Sequence, residues 1–122
     1  MEPLFVYGTL RRGFDNRFAR LLSQSAGFLG KARIRGRLYR IRHYPGLKLS
    51  TDADEWVTGE VYGMSDSVSL LPALDAYEGD DYRRTWGSVT LESGGESRAW
   101  VYVYTPPVDE ERRIASGDFL DE

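Results

Sequence analysis

The sequence predicts an α+β domain, and three observations carry that reading. There are about five to seven strand-like runs, two stretches with apolar residues at helical spacing, and a Gly94-Gly95 pair between the last two runs. A chain of 122 residues makes one compact domain the natural count, with enough length to bury a core. Apolar residues at 41% fall in the ordinary range for a globular protein. No run approaches the ~18 apolar residues of a membrane span, and Met1-Glu2-Pro3 has nothing of a secretory signal. Cysteine is absent, which removes disulfides, thiol nucleophiles and zinc–thiolate sites together. A cytoplasmic protein with no membrane partner is expected.

Leu4, Phe5, Val6 and Tyr7 form an apolar strand that runs into Gly8-Thr9-Leu10, with Gly13 before the next pattern. A glycine at such a loop allows close backbone approach, and freed N–H groups there can hold an anion. A purely structural strand-to-helix turn explains the same spacing. Asp15-Asn16 can cap a helix from Arg17 to Ser23 or Ser25, ended by Gly27 and Gly30, with Phe18, Leu21 and Leu22 on one side. Ala32 to Ile41 alternates as a strand, Tyr44-Pro45-Gly46 marks a turn, and Leu47 to Thr51 makes a short strand. Asp52-Ala53-Asp54-Glu55 is too charged for a core and reads as a loop before a strand from Trp56 to Met64.

Ser65 to Ser69 offers helix starts, and Val68, Leu71, Leu74 and Ala76-Tyr77 give an apolar stripe. Pro72 suits only an early turn, so the helix should run from about Ser69 to Tyr77, with Gly79 stopping it. Glu78 then stands at the C-terminal end, where the helix dipole disfavours a negative charge. Tyr82 to Leu91 and Ser97 to Tyr104 read as a hairpin, with Trp86, Trp100, Val101 and Val103 supplying core bulk. Pro106-Pro107 ends regular structure, and Glu110 to Ala115 can form a last helical turn.

A net charge of −3 does not favour nucleic acid as a general partner. Lys31, Arg33, Arg35, Arg37, Arg40 and Arg42 nevertheless crowd one segment. A solvated sheet face is the simple explanation; an RNA-binding stripe is the other, without the aromatic platform that single-strand binders use. Gly8 and Gly13 have the outer spacing of a P-loop, but Phe14 and Asp15 stand where Lys and Ser/Thr are needed. His43 is the only histidine, and no serine has a G-x-S-x-G setting, so a serine–histidine triad is excluded from the leading readings. The Asp52, Asp54, Glu55 cluster lacks calcium-loop spacing.

Three motifs in order resemble the gamma-glutamylcyclotransferase-like (AIG2-like) family: Tyr7-Gly8-Thr9-Leu10, then Gly59-Glu60-Val61-Tyr62, then Leu74-Asp75-Ala76-Tyr77-Glu78-Gly79 followed by Tyr82 and Arg83. The resemblance spans roughly Leu4 to Tyr104. It implies a small, mixed, partly closed β-barrel flanked by helices. It also implies an intramolecular aminolysis: the α-amine of a γ-glutamyl group attacks its own γ-carbonyl, forming 5-oxoproline and releasing a small amine or amino acid. No metal, nucleotide cofactor or covalent intermediate is required.

By the same resemblance Glu78 is the acid/base, and the Tyr7-Gly8-Thr9-Leu10 backbone holds a carboxylate or developing oxyanion. Asn16, Tyr82 and Tyr104 match positions associated with the pocket, although a helix cap for Asn16 and core packing for the tyrosines fit equally well. Arg11 and Arg12 could bind a carboxylate or face water. Asp75 is expected to steady the neighbouring turn, and Asp80 or Asp81 could share the role of Glu78. A non-catalytic ligand-binding or interaction protein that keeps the same pocket is the alternative.

Overall fold

One long strand, β2 (Ala26–Arg40), closes the chain into a barrel by meeting three partners. In this computed structural model, which describes residues 2–51 and 54–121, the other strands are β1 (Glu2–Val6), β3 (Pro45–Leu49), β4 (Trp56–Met64), β5 (Tyr82–Leu91) and β6 (Glu96–Tyr104). Helices α1 (Arg17–Ser25) and α2 (Ser67–Glu78) lie between strands. Asp52 and Ala53, read from the sequence as part of a charged loop, lie outside the described residues, as do Met1 and Glu122.

The first part of β2 pairs antiparallel with β4, from Ala26↔Met64 to Arg35↔Trp56. Its middle pairs with β5 at Ala32↔Leu91, Arg33↔Thr90 and Ile34↔Val89. Its end pairs with β3, from Gly36↔Leu49 to Arg40↔Pro45. The ring β2-β4-β1-β6-β5 therefore closes on itself, with β3 added outside the ring. It is mixed because β1 runs parallel to β6, meeting it at Leu4↔Trp100, while the other pairs are antiparallel. The expected partly closed barrel is thus sealed by the short β2–β5 seam.

Two cores follow from alternation along β1. Phe5 points into the barrel with Ile34, Leu38, Val57, Val61, Val89 and Val101. Leu4 and Val6 point outward into a second core with Leu22, Tyr62, Leu70, Leu71, Leu74 and Tyr102. A strand buried on both faces reads as a continuous apolar run, which is why residues 4–7 show no polar alternation. Each fully buried large side chain here, such as Phe5, Leu4 or Leu74, contributes about 1.5–3 kcal/mol.

Several expectations are corrected. Gly27 and Gly30 do not end α1; Ala26 already has extended backbone, and both glycines belong to β2. Gly30, at φ +135°, sits where the register with β4 shifts, so it serves a bulge rather than a helix stop. The turn falls at residues 41–44, where the Ile41 and Arg42 amides donate to the Tyr44 carbonyl, and Pro45 opens β3. Helix α2 begins at Ser67, capped by Asp66, and Pro72 lies inside it. The carbonyl left unpaired by Pro72 is that of Val68, in an exposed first turn. Val68 itself is 86% exposed, so Leu70, Leu71 and Leu74 carry the buried stripe.

Trp86 is 40% exposed, packed edge-on to Trp100 at 4.9 Å, and does not fill the core. Of the helical turn expected over Glu110 to Ala115, Glu110–Arg112 forms as a short 3-10 turn; Arg113 then bridges to Tyr39, Ile114 enters the barrel core, and a second 3-10 turn follows at Phe119–Asp121. In the basic segment Arg33 and Arg35 face outward around Trp56, at 4.2 and 5.0 Å from its ring, while Ala32, Ile34 and Gly36 are buried.

Candidate active site

The site is built where β1 ends. Tyr7 leaves the strand and pins the barrel end: its hydroxyl donates to the Tyr102 carbonyl at 2.6 Å and accepts from the Leu47 amide at 3.2 Å. The chain then turns, with the Arg11 amide on the Gly8 carbonyl at 3.0 Å. Asn16 caps α1 by accepting from the Ala19 amide at 2.8 Å, and its Nδ2 donates to the Thr9 carbonyl at 2.8 Å. One side chain thus starts the helix and braces the loop. Glu60 holds the loop's other end, accepting from the Arg12 amide at 2.6 Å.

Among the described residues, the amides of Gly8, Thr9 and Leu10 meet no acceptor in the chain. Neighbouring donors without an internal partner need one from outside. Gly8 is packed so closely that a Cβ there would stand 2.8 Å from the Pro45 ring. Arg11 and Arg12, both possible carboxylate binders from sequence, point elsewhere. Arg11 is 3% exposed and donates to Asp118 at 2.7 Å; Arg12 lies over the Phe28 ring at 4.0 Å.

Opposite the loop, α2 ends at Glu78 because Gly79 takes φ +83°, which a residue with a side chain rarely adopts. Tyr77 ties this end to the loop through a 2.8 Å contact between its hydroxyl and that of Thr9. Asp75 does more than steady a turn. Its carboxylate accepts from Arg84 Nε at 2.9 Å and from the Tyr102 hydroxyl at 2.7 Å, fastening α2 to β5 and β6. Burial pushes the Asp75 carboxyl up, but the hydrogen bonds from Arg84 and Tyr102 outweigh it and hold it below the usual carboxylate range.

Between loop and helix end lies a cavity of about 240 Å³. Tyr7, Gly8, Thr9, Leu10, Glu78 and Tyr82 all line it. Asn16 and Tyr104 do not; Tyr104 stands behind Tyr82, ring centroids 5.3 Å apart. Asp80 and Asp81 are exposed and off the lining. Sequence reasoning missed His43, Tyr44 and Pro45, which form the rim, and Tyr77 and Tyr102 on the wall. Tyr102 could have been found, since it shares a strand face with Tyr104; nothing local marks the rim.

Among the described residues, Glu78 is the only carboxylate on the lining, and it has no hydrogen-bond or ion-pair partner. Burial alone raises its pKa to about 7. The hydroxyls around it are committed: Tyr7 to Tyr102, Tyr82 to the Pro45 carbonyl at 2.6 Å, Tyr102 to Asp75. Burial, reinforced by the nearby Glu78 charge, drives the Tyr82 hydroxyl far above the ordinary phenol range, and burial with the Asp75 hydrogen bond does the same to Tyr102. These tyrosines stay protonated at any working pH.

The family described as "Gamma-glutamyl cyclotransferase, AIG2-like" matches residues 4–121. The chain belongs to this family. The gamma-glutamylcyclotransferase family protein YtfP of Escherichia coli K12 is 36% identical to it over 121 residues, covering 97% of this chain and 96% of the relative. A gamma-L-glutamyl-butirosin B gamma-glutamyl cyclotransferase of Niallia circulans is 36% identical over 113 residues, 85% of this chain and 67% of that protein. The crystal structure of a mouse AIG2-like protein superposes with a TM-score of 0.72 at 28% identity, over 92% of this chain and 82% of that one. The barrel with two helices is accordingly the AIG2-like fold, and gamma-glutamylcyclotransferase-type activity is the enzymatic class of this AIG2-like chain. No helix among the described residues is long and apolar enough to cross a membrane.

Proposed function

We propose that this protein cyclises a small γ-glutamyl amine or amino acid to 5-oxoproline and the free amine, with Glu78 as the single acid/base. The observation that carries the reading is the isolation of Glu78: one unpartnered carboxylate in a cavity of otherwise neutral hydroxyls, with a pKa of about 7. A group so poised can accept and return a proton near neutrality.

Ionised Glu78 removes a proton from the substrate's α-ammonium. The freed amine attacks the γ-carbonyl carbon, a C–N bond forms, and the carbonyl oxygen becomes an oxyanion. Protonated Glu78 then delivers the proton to the departing nitrogen as the old amide bond breaks, and the second proton of the attacking nitrogen passes through Glu78 to the released amine, leaving a neutral lactam and an ammonium. Nucleophile and electrophile share one molecule, so holding the folded conformer supplies much of the rate. The amides of Gly8, Thr9 and Leu10 are the natural donors for the head-group carboxylate or the oxyanion. Tyr82 borders the same head, while Asn16 and Tyr104 support the loop and the wall from behind.

A cavity of about 240 Å³ suits the glutamyl head rather than a whole large conjugate, so the amine portion passes out beside exposed His43. That arrangement is compatible with a relative named for gamma-L-glutamyl-butirosin B. Incubation with a panel of γ-glutamyl amines and amino acids, scored for 5-oxoproline, tests the reading. Product from at least one compound is expected; none from any of them would sink it.

A further inference from the structure

The C-terminal tail reaches back to the substrate loop at two points: Asp118 accepts from Arg11 Nη1 at 2.7 Å, and Phe119 stacks on Phe14 at 6.1 Å. Behind the loop, Arg11 and Glu60 are 3% and 4% exposed. Their pairing is incomplete. Arg11 Nε is buried without a hydrogen-bond partner and lies 3.7 Å from Glu60 Oε2. The other oxygen of Glu60 holds the Arg12 amide at 2.6 Å. Asp118 is itself fixed, because its Oδ1 also accepts from the Leu120 amide at 3.0 Å.

We propose that Asp118 is a positioning residue for the loop, acting through Arg11 and Glu60; this rests on the reading that the loop binds the γ-glutamyl head. By taking one end of the guanidinium, Asp118 keeps Arg11 from closing on Glu60 as a two-pronged pair. Glu60 therefore keeps an oxygen for the Arg12 amide. Without Asp118 the buried guanidinium has two unsatisfied ends, and the strongest acceptor within reach is Glu60. Arg11 then captures both oxygens, the Arg12 amide is released, and the Gly8–Arg12 turn loosens. The tail is thus a strut for substrate binding from the far side of the loop, with no atom on the cavity lining.

The test compares wild type, Asp118→Ala and Asp118→Glu. Amide hydrogen exchange should quicken at least ~10-fold at Arg12 in Asp118→Ala, with β1 and β4 amides unchanged and protection restored in Asp118→Glu. With an active γ-glutamyl substrate, KM should rise about 10-fold while kcat changes little, since the strut acts on the loop's hold of the head-group carboxylate, which is present alike in ground and transition states. If Asp118→Ala fails to fold, Asp118→Asn, which keeps shape but not charge, takes its place. Unchanged exchange at Arg12, or a fall confined to kcat, overturns the proposal. Failure of the wild type to make 5-oxoproline overturns the functional reading instead, and the exchange comparison still decides the strut.

Discussion

Thr9 and Tyr77 join the two halves of the site: their hydroxyls meet at 2.8 Å, so the loop after β1 is tied to the last turn of α2, one residue before Glu78. Tyr77 is held in turn by Phe18, ring centroids 4.5 Å apart. Tyr77→Phe keeps this packing and removes only the hydroxyl link. It should lower stability by about 0.5–1.5 kcal/mol, the net worth of one hydrogen bond. Turnover should fall more than the stability loss suggests, by roughly 3–10-fold in kcat, because loop and carboxylate lose their common reference. Steady-state kinetics with a thermal melt would separate these effects, and an unchanged kcat would detach the link from function.

Glu78 should make the protein's stability pH-dependent. Its folded-state pKa, about 7, lies above the ordinary value of 4.5. Between those values the native state binds more protons than the unfolded chain, so this group's contribution becomes less favourable as pH rises from 4.5 to 7. Above about pH 7 the full penalty for a buried charge is present, on the order of 3 kcal/mol. Glu78→Gln should therefore melt higher than wild type at pH 8, by roughly 4 °C per kcal/mol relieved. The two should converge below about pH 4.5. The same ionisation predicts a kcat/KM limb that rises with pH around 7 in the wild type. Equal melting curves at pH 8 would show that the carboxylate is not desolvated.

Gly8 owes its identity to space. A valine there would press its Cβ onto the Pro45 ring, and the Pro45 carbonyl holds Tyr82. Gly8→Val should cost about 1–3 kcal/mol through overpacking yet leave the barrel folded. KM should rise at least ~10-fold, because the loop and the rim shift together. Thermal melts and a KM measurement check both parts; an unaltered KM would place the loop away from substrate.

How much of this was legible beforehand depends on whether the cause is local. The strand before Gly8, the Gly94-Gly95 hairpin and the end of α2 at Gly79 each rest on neighbouring residues, and the sequence reading anticipated them. The first third of β2 does not: Ala26-Gly27-Phe28-Leu29-Gly30 lacks alternation and is a strand because β4 lies beside it. Val68 and Trp86 read as interior for being apolar, yet each faces outward where neither core reaches. In the site, contiguous pieces such as Tyr7 to Leu10 and Glu78 could be picked out along the chain. The His43–Pro45 rim and the Arg11, Glu60, Asp118 cluster could not, since they are assembled from segments far apart in sequence.

Selectivity should be strict for the head and loose for the amine. In the proposed pose the head meets the loop amides and Glu78, whereas the leaving portion passes His43, an exposed residue of the lining. Moving from γ- to α-linked glutamyl compounds misplaces the amine relative to the carbonyl and leaves buried polar groups unpaired, so turnover should be abolished. Changing the amine should alter kcat/KM by only about 10-fold, since the leaving part lies largely in solvent. Comparable rates on both linkages would contradict the proposed geometry.

Single-turnover cyclisation by purified Glu78→Gln tests the central claim most directly. The amide keeps the size and much of the hydrogen bonding of the carboxylate but cannot take a proton. A folded variant that still binds a non-hydrolysable γ-glutamyl mimic and forms 5-oxoproline at least ~10²-fold more slowly is the predicted result. Cyclisation at the wild-type rate would contradict it, and the proton transfers would then have to be sought at Asp80 or Asp81, outside the cavity lining.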